Sequence, residues 1–155
     1  MVSLENLCRL LVEAVPNDSS FVLLNKCKAL GMTETEYLEV DMDSNLPDFD
    51  KGYHLLTETD DSMQARIEIL ERGEDVLQVG FQVTYQRTFF FSKSKKHYKM
   101  IKPIANDFYG KHFPMKAKDV EILNYGNESS VCYLSLTNMN GVDSITFRIG
   151  NRKYW

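Results

Sequence analysis

The stretch Met63-Gln64-Ala65-Arg66-Ile67-Glu68-Ile69-Leu70-Glu71-Arg72-Gly73-Glu74-Asp75-Val76-Leu77-Gln78-Val79-Gly80-Phe81-Gln82-Val83-Thr84-Tyr85 decides the fold class. Met63, Ala65, Ile67 and Ile69 alternate with polar side chains, the period of a strand with one face in a core. Arg72-Gly73-Glu74 turns the chain, and Val76 to Tyr85 returns with Leu77, Val79, Phe81 and Val83 on one face. Two long antiparallel strands are the expectation. Thr88-Phe89-Phe90-Phe91 extends the second strand or begins another.

Upstream, residues 4–15 read as an amphipathic helix. Leu4, Leu7, Cys8, Leu11, Ala14 and Val15 form one stripe, Ser3 is the N-cap, and Pro16 ends the helix. A second short helix is expected from the caps Asp18-Ser19-Ser20 to Gly31, with Phe21, Leu24, Cys27 and Leu30 at regular spacing; a strand over Phe21–Leu24 is the competing reading. Tyr37–Val40 and Tyr53–Thr57 read as short strands, separated by a loop at Leu46-Pro47-Asp48.

Downstream, Ser92–Tyr109 reads as a helix with Tyr98, Ile101, Ala105 and Phe108 inward and Gly110 as terminator. Pro103 either kinks it or lies in the first turn of a shorter helix, leaving Ser92–Lys99 as loop. Strands follow over Val120–Leu123, Val131–Thr137 and Ser144–Ile149, with turn residues between them. The expected architecture is α+β, a single domain over 1–155. Its mostly antiparallel sheet has five to seven strands, with N-terminal helices and one central helix packed on it. No internal repeat is visible.

The chain has 155 residues, 43% hydrophobic and 26% charged, with a net charge of -4. Such a composition excludes disorder and a disulfide-dense miniprotein. Cys8, Cys27 and Cys132 sit among apolar neighbours and read as buried reduced thiols. The first residues lack a signal-peptide pattern, and no apolar run approaches the roughly 20 residues of a membrane span, so the expected location is the cytoplasm, without membrane association.

Recognisable chemistry is sparse. Asp41-Met42-Asp43-Ser44-Asn45 begins like a calcium loop, but Leu46 and Gly52 stand where the EF-hand needs Gly and Glu. It reads as a solvated acidic loop. His54, His97 and His112 are scattered, without metal-ligand spacing, and His97 and His112 read as neutral surface imidazoles among lysines. Cys132 lies in an alternating strand, where burial accounts for it better than nucleophilic chemistry. There is no nucleophile elbow and no phosphate-cradling loop. No cofactor, metal or catalytic residue is expected.

Charge, in contrast, is sharply segregated. From Glu34 to Asp61 ten acidic residues face Lys51 alone, a net of -9; from Lys93 to Lys118 eight lysines face Asp107 alone, a net of +7. Both runs can be solvated faces, or can lie near each other in the fold and partly neutralise. As a nucleic-acid footprint the lysine run lacks arginine, and the overall charge repels phosphate. As a docking surface, clustered carboxylates steer a basic protein while Tyr37, Phe49 and Tyr53 supply apolar anchors. The expectation is therefore a non-enzymatic protein-binding module: an acidic immunity protein or antitoxin that blocks a basic toxin or nuclease. Its expected contact residues are Asp41, Asp43, Asp48, Phe49, Asp50 and Tyr53. A secretion-chaperone-like binding protein and a small enzyme with a site invisible in sequence are the alternatives.

Overall fold

The computed structural model describes residues 2–38, 46–59, 63–86, 93–110 and 112–155, with Pro16 described for its backbone alone. In chain order the elements are α1 (Leu4–Asn17), α2 (Ser20–Ala29), β1 (Thr33–Thr35), β2 (Lys51–Glu58), β3 (Gln64–Arg72), β4 (Asp75–Gln86), α3 (Lys93–Tyr109), β5 (His112–Ala117), β6 (Val120–Gly126), β7 (Ser130–Met139) and β8 (Val142–Asn151). The eight strands form one antiparallel sheet, ordered β1-β2-β3-β4-β8-β7-β6-β5.

Local signals set the helices. The Ser3 hydroxyl accepts from the Asn6 N–H at 3.1 Å, and the Ser19 hydroxyl accepts from Val22, the N-caps that open α1 and α2. Pro16 pushes Val15 out of helical geometry (φ -100°, ψ 114°), and a last turn then carries α1 to Asn17. Gly31, at φ 88°, adopts the left-handed conformation that ends α2. Pro103 lies inside α3, which runs unbroken from Lys93; the shorter helix with Ser92–Lys99 as loop does not form.

The sheet has more strands than expected because two edge strands carry little sequence signal. β1 is three residues long and wholly exposed, and β5 contains Pro114 and is exposed almost throughout. Proline is tolerated on an edge, where one side of the ladder goes unpaired. The short strand expected at Tyr37–Val40 is not found at Tyr37 and Leu38, which lie outside any strand, while Glu39 and Val40 fall outside the described residues, as does Thr88–Phe91.

The β3–β4 hairpin turns at Gly73, whose φ is 64°. Its register shifts between Leu70 and Glu71, which pair with Gln78 and Val76. Leu77 is thus the extra residue of a bulge and leaves the phase of Val79, Phe81 and Val83. Val76 takes the inward position instead and joins the core shared with the helices.

That core lies between the helices and one sheet face. Leu55, Ile67, Phe81, Phe147, Leu134 and Leu123 pair across six neighbouring strands, and all belong to it. From α1 come Leu4, Leu7, Cys8 and Leu11, from α2 Leu23 and Cys27, and from α3 Ile101 and Ala105. The three cysteines are free and buried, as expected. Burial pushes the Cys27 thiol up to about 11, and raises those of Cys8 and Cys132 as well.

The strand order reads alike from either end. Each half is helical sequence followed by a four-stranded meander, and the last strands of the two halves, β4 and β8, pair at the centre. Phe81 and Phe147 are directly opposite in that pair, with ring centroids 5.6 Å apart. Val79-Gly80-Phe81-Gln82-Val83 and Ile145-Thr146-Phe147-Arg148-Ile149 share an alternation centred on these phenylalanines. The repetition is one of architecture, which the absence of wider sequence similarity conceals.

Candidate functional site

The acidic segment is divided by the fold. Asp41 and Asp43, with the rest of the calcium-like stretch up to Asn45, lie outside the described residues. Asp48 is exposed. Asp50 clamps the β3–β4 turn: its carboxylate accepts from the Gly73 N–H at 2.6 Å, and its own N–H donates to Glu71 at 2.8 Å. Phe49 meets Tyr37 edge to face at 6.1 Å, and Tyr37 in turn lies 4.5 Å from His54. Tyr53 packs against the helix-side core, with the Lys51 ammonium 4.8 Å from its ring centre. Phe49 and Tyr53 therefore associate with opposite faces of the sheet.

The described residues of the two charged runs lie on different elements. Glu34 lies on β1, and Asp48 and Asp50 precede β2; Lys116 lies on β5 at the other edge, while α3 carries Lys93, Lys95, Lys96, Lys99 and Lys102 beside β6, β7 and β8. Seven strand spacings put the edges on the order of 30 Å apart, several Debye lengths at physiological salt. Mutual neutralisation is therefore negligible between the edges. Glu34 is paired locally, with Lys28 at 2.5 Å.

The sheet face turned away from the helices mixes polar, aromatic and glycine positions. One cross-strand row comprises His54, Glu68, Gly80, Arg148, Tyr133, Asn124 and Phe113, and its neighbour Gly52, Leu70, Gln78, Gly150, Val131 and Gly126. The His54 Nε2 lies 3.2 Å from a Glu68 oxygen. Glycines give this face its relief. A Cβ at Gly80 would stand 2.8 Å from the Arg148 Cγ, one at Gly126 would stand 2.6 Å from an Arg152 nitrogen, and one at Gly150 would stand 2.5 Å from the Trp155 Nε1. Each missing side chain lets a large neighbour lie close to the backbone.

The C-terminal residues complete this region. The Arg152 Nε donates to the Asn127 carbonyl at 3.2 Å, while the Lys153 ammonium and Tyr154 hydroxyl donate to Asp75 at 2.9 and 2.6 Å. Those two donors hold the Asp75 carboxyl below its ordinary range, Tyr154 contributing most. Trp155 is thereby folded back over Gly150. A cleft of about 630 Å³ results, lined among others by Gln78, Phe113, Tyr133, Arg148, Arg152 and Trp155. Arg148 also lines a smaller depression with His54, Arg66 and Glu68.

A buried polar group lies elsewhere, at the start of α3. The Tyr85 hydroxyl is 2.7 Å from His97 Nδ1, and the Ser94 hydroxyl donates to Asp143 at 2.5 Å. His97 is only 3% exposed, so the expected surface imidazole is instead a core residue facing β4. The lysines beside it in sequence point outward around the helix, which is what obscured its burial. Nucleophilic triads interpose an imidazole between hydroxyl and carboxylate; here the carboxylate takes the serine proton's hydrogen bond directly, tying α3 to β8.

Among the described residues, no helix is long and apolar enough to cross a membrane. Comparison with protein-family models, curated proteins and solved structures gives no match to this chain. The class defined by its own geometry is an α+β protein with three helices and one eight-stranded antiparallel sheet.

The sequence signal for the open-face cleft was present but dispersed. Gly80, Gly126 and Gly150 interrupt or end strands without forming a contiguous motif. Only the register brings Gly126 and Gly150 onto either side of Val131.

Proposed function

We propose that this protein is a non-enzymatic binding module that uses its acidic margin to block a basic protein, in the manner of an immunity protein or antitoxin. What supports the reading is that the acidic residues described at the β1–β2 edge stand across the sheet from Lys116 on β5. Apart from Glu34, which is paired with Lys28, exposed carboxylates at that edge keep their field available for a partner. Glu36 and Asp48 are exposed and take part in no ion pair among the described residues, and the half-buried Phe49 beside Tyr37 offers an apolar anchor. Carboxylates so arranged accelerate encounter with a basic surface, by roughly 10–10³-fold in favourable cases.

The test is capture from native lysate by immobilised protein at low and high salt, followed by assay of the captured protein's activity with and without this chain. A basic partner retained at low salt, inhibited on binding, and lost when Asp43 and Asp48 are replaced by Lys is the expected result. Asp50 is left intact because it closes the β3–β4 turn. Retention unchanged by the reversals removes the acidic margin from the interface; capture without inhibition favours a chaperone-like role.

A further inference from the structure

The open-face cleft offers chemistry unrelated to the acidic margin. Its floor is glycine backbone, its walls are aromatic, and its charge is cationic. Arg148 is half-buried, and its guanidinium makes no hydrogen bond or ion pair with any other described residue. Its stem crosses Gly80, and its direct cross-strand partner on the other side is Tyr133. Arg152 stands over Gly126 with one nitrogen engaged by the Asn127 carbonyl, leaving the remainder of its fork open. Trp155 and Phe113 supply flat apolar surface at the rim, and Gln78 and Asn124 supply amide groups.

A guanidinium is planar, permanently charged and matched to two oxygens of one carboxylate or phosphate. Half-buried on a concave surface, the Arg148 guanidinium loses part of its solvation, which an oxyanion restores. Aromatic faces beside it favour a flat ring over an aliphatic chain. The volume falls within the roughly 300–1,000 Å³ of small-molecule sites. We infer that this cleft is a binding site for a small organic oxyanion bearing an aromatic ring, its carboxylate or phosphate held by Arg148 and Arg152 and its ring placed against Tyr133 and Trp155.

Trp155 is the sole tryptophan of the chain, so its emission reports on the cleft directly. Benzoate and adenosine monophosphate serve as the carboxylate and phosphate probes, with benzamide and adenosine as neutral counterparts. Saturable change in Trp155 emission with one or both anions, at least about tenfold weaker for the neutral counterpart, is the expected result. The anion that binds identifies the oxyanion source. Arg148→Ala should weaken that binding by about tenfold or more and Arg148→Lys by less, because lysine keeps the charge and loses the fork. Lys118→Ala, at the β5–β6 turn, should leave it unchanged. Failure of both anions to bind at concentrations on the order of 10 mM, or equal binding of the neutral counterparts, overturns the proposal. So does binding by an Arg148→Lys protein of native circular dichroism that is indifferent to the change.

Discussion

The two faces of the sheet are built from the same strands and differ at every step along them. On the helix side, Phe81 and Phe147 meet across the centre with Ile67 and Leu134 as flanking partners. One residue further along, Gly80 faces Glu68 and Arg148, and Arg148 faces Tyr133. Alternation sends successive side chains to opposite sides, so apolar burial and polar relief are specified together in each strand. The helix side excludes water to hold the fold. The open side has glycines where bulk would fill the surface, which leaves charged and aromatic groups accessible. Stability and recognition are thus assigned to opposite faces.

Several substitutions and labels should sharpen that division. Phe147→Ala, in the middle of the covered face, should lower unfolding free energy by about 3–5 kcal/mol in denaturant titration. A loss below 1 kcal/mol would mean that the central row is not the core. Thiol labelling probes the same face chemically. Cys8, Cys27 and Cys132 are buried with raised pKa values, so the native protein should resist labelling near neutral pH while the denatured chain reacts at all three.

On the open side the effects should be local. Gly150→Ala should displace Trp155 and alter its emission, and, because the added methyl also meets the Val131 side chain on β7, should cost about 1–3 kcal/mol of stability. Asp75 ties the same tail down. Its folded pKa is depressed, so its stabilisation is present above the unfolded value of about 3.9 and fades as pH falls through the lower folded value. Trp155 emission should therefore change on acidification below about pH 4, and Asp75→Asn should reproduce the acid form at neutral pH. Smallest of all, Arg148→Ala should alter stability by no more than about 0.5 kcal/mol; a core-sized loss would make that arginine structural and erase the contrast between the faces.

Where burial imposed a period, the sequence was legible. The hairpin, both N-terminal helices and the last three strands follow alternation, caps and turn residues. β1 and β5 were not visible because an exposed edge needs no apolar alternation, and Pro114 argues against a strand unless its edge position is known. Leu77 misled because a bulge shifts phase without changing composition. His97 misled because its helix is lysine-rich on the outside and its inner neighbours come from β4. For the sites, the charge of the acidic segment was readable but the face taken by each aromatic was not: Phe49 and Tyr53 are four residues apart and part company. The cleft depends on cross-strand register among β4, β6 and β8, information that pairwise spacing along one chain does not carry.

The near-palindromic strand order has a kinetic consequence. Every ladder but one joins strands adjacent in the chain, so each meander can assemble from local hairpins. Among the described strands, only the β4–β8 ladder spans a long interval, its nearest partners being Gln86 and Val142. Among the sheet ladders, loop-closure entropy falls mainly on that encounter. The seam at Phe81 and Phe147 is accordingly where two half-sheets commit to becoming one, and where two chains, meeting before either has closed, would exchange halves.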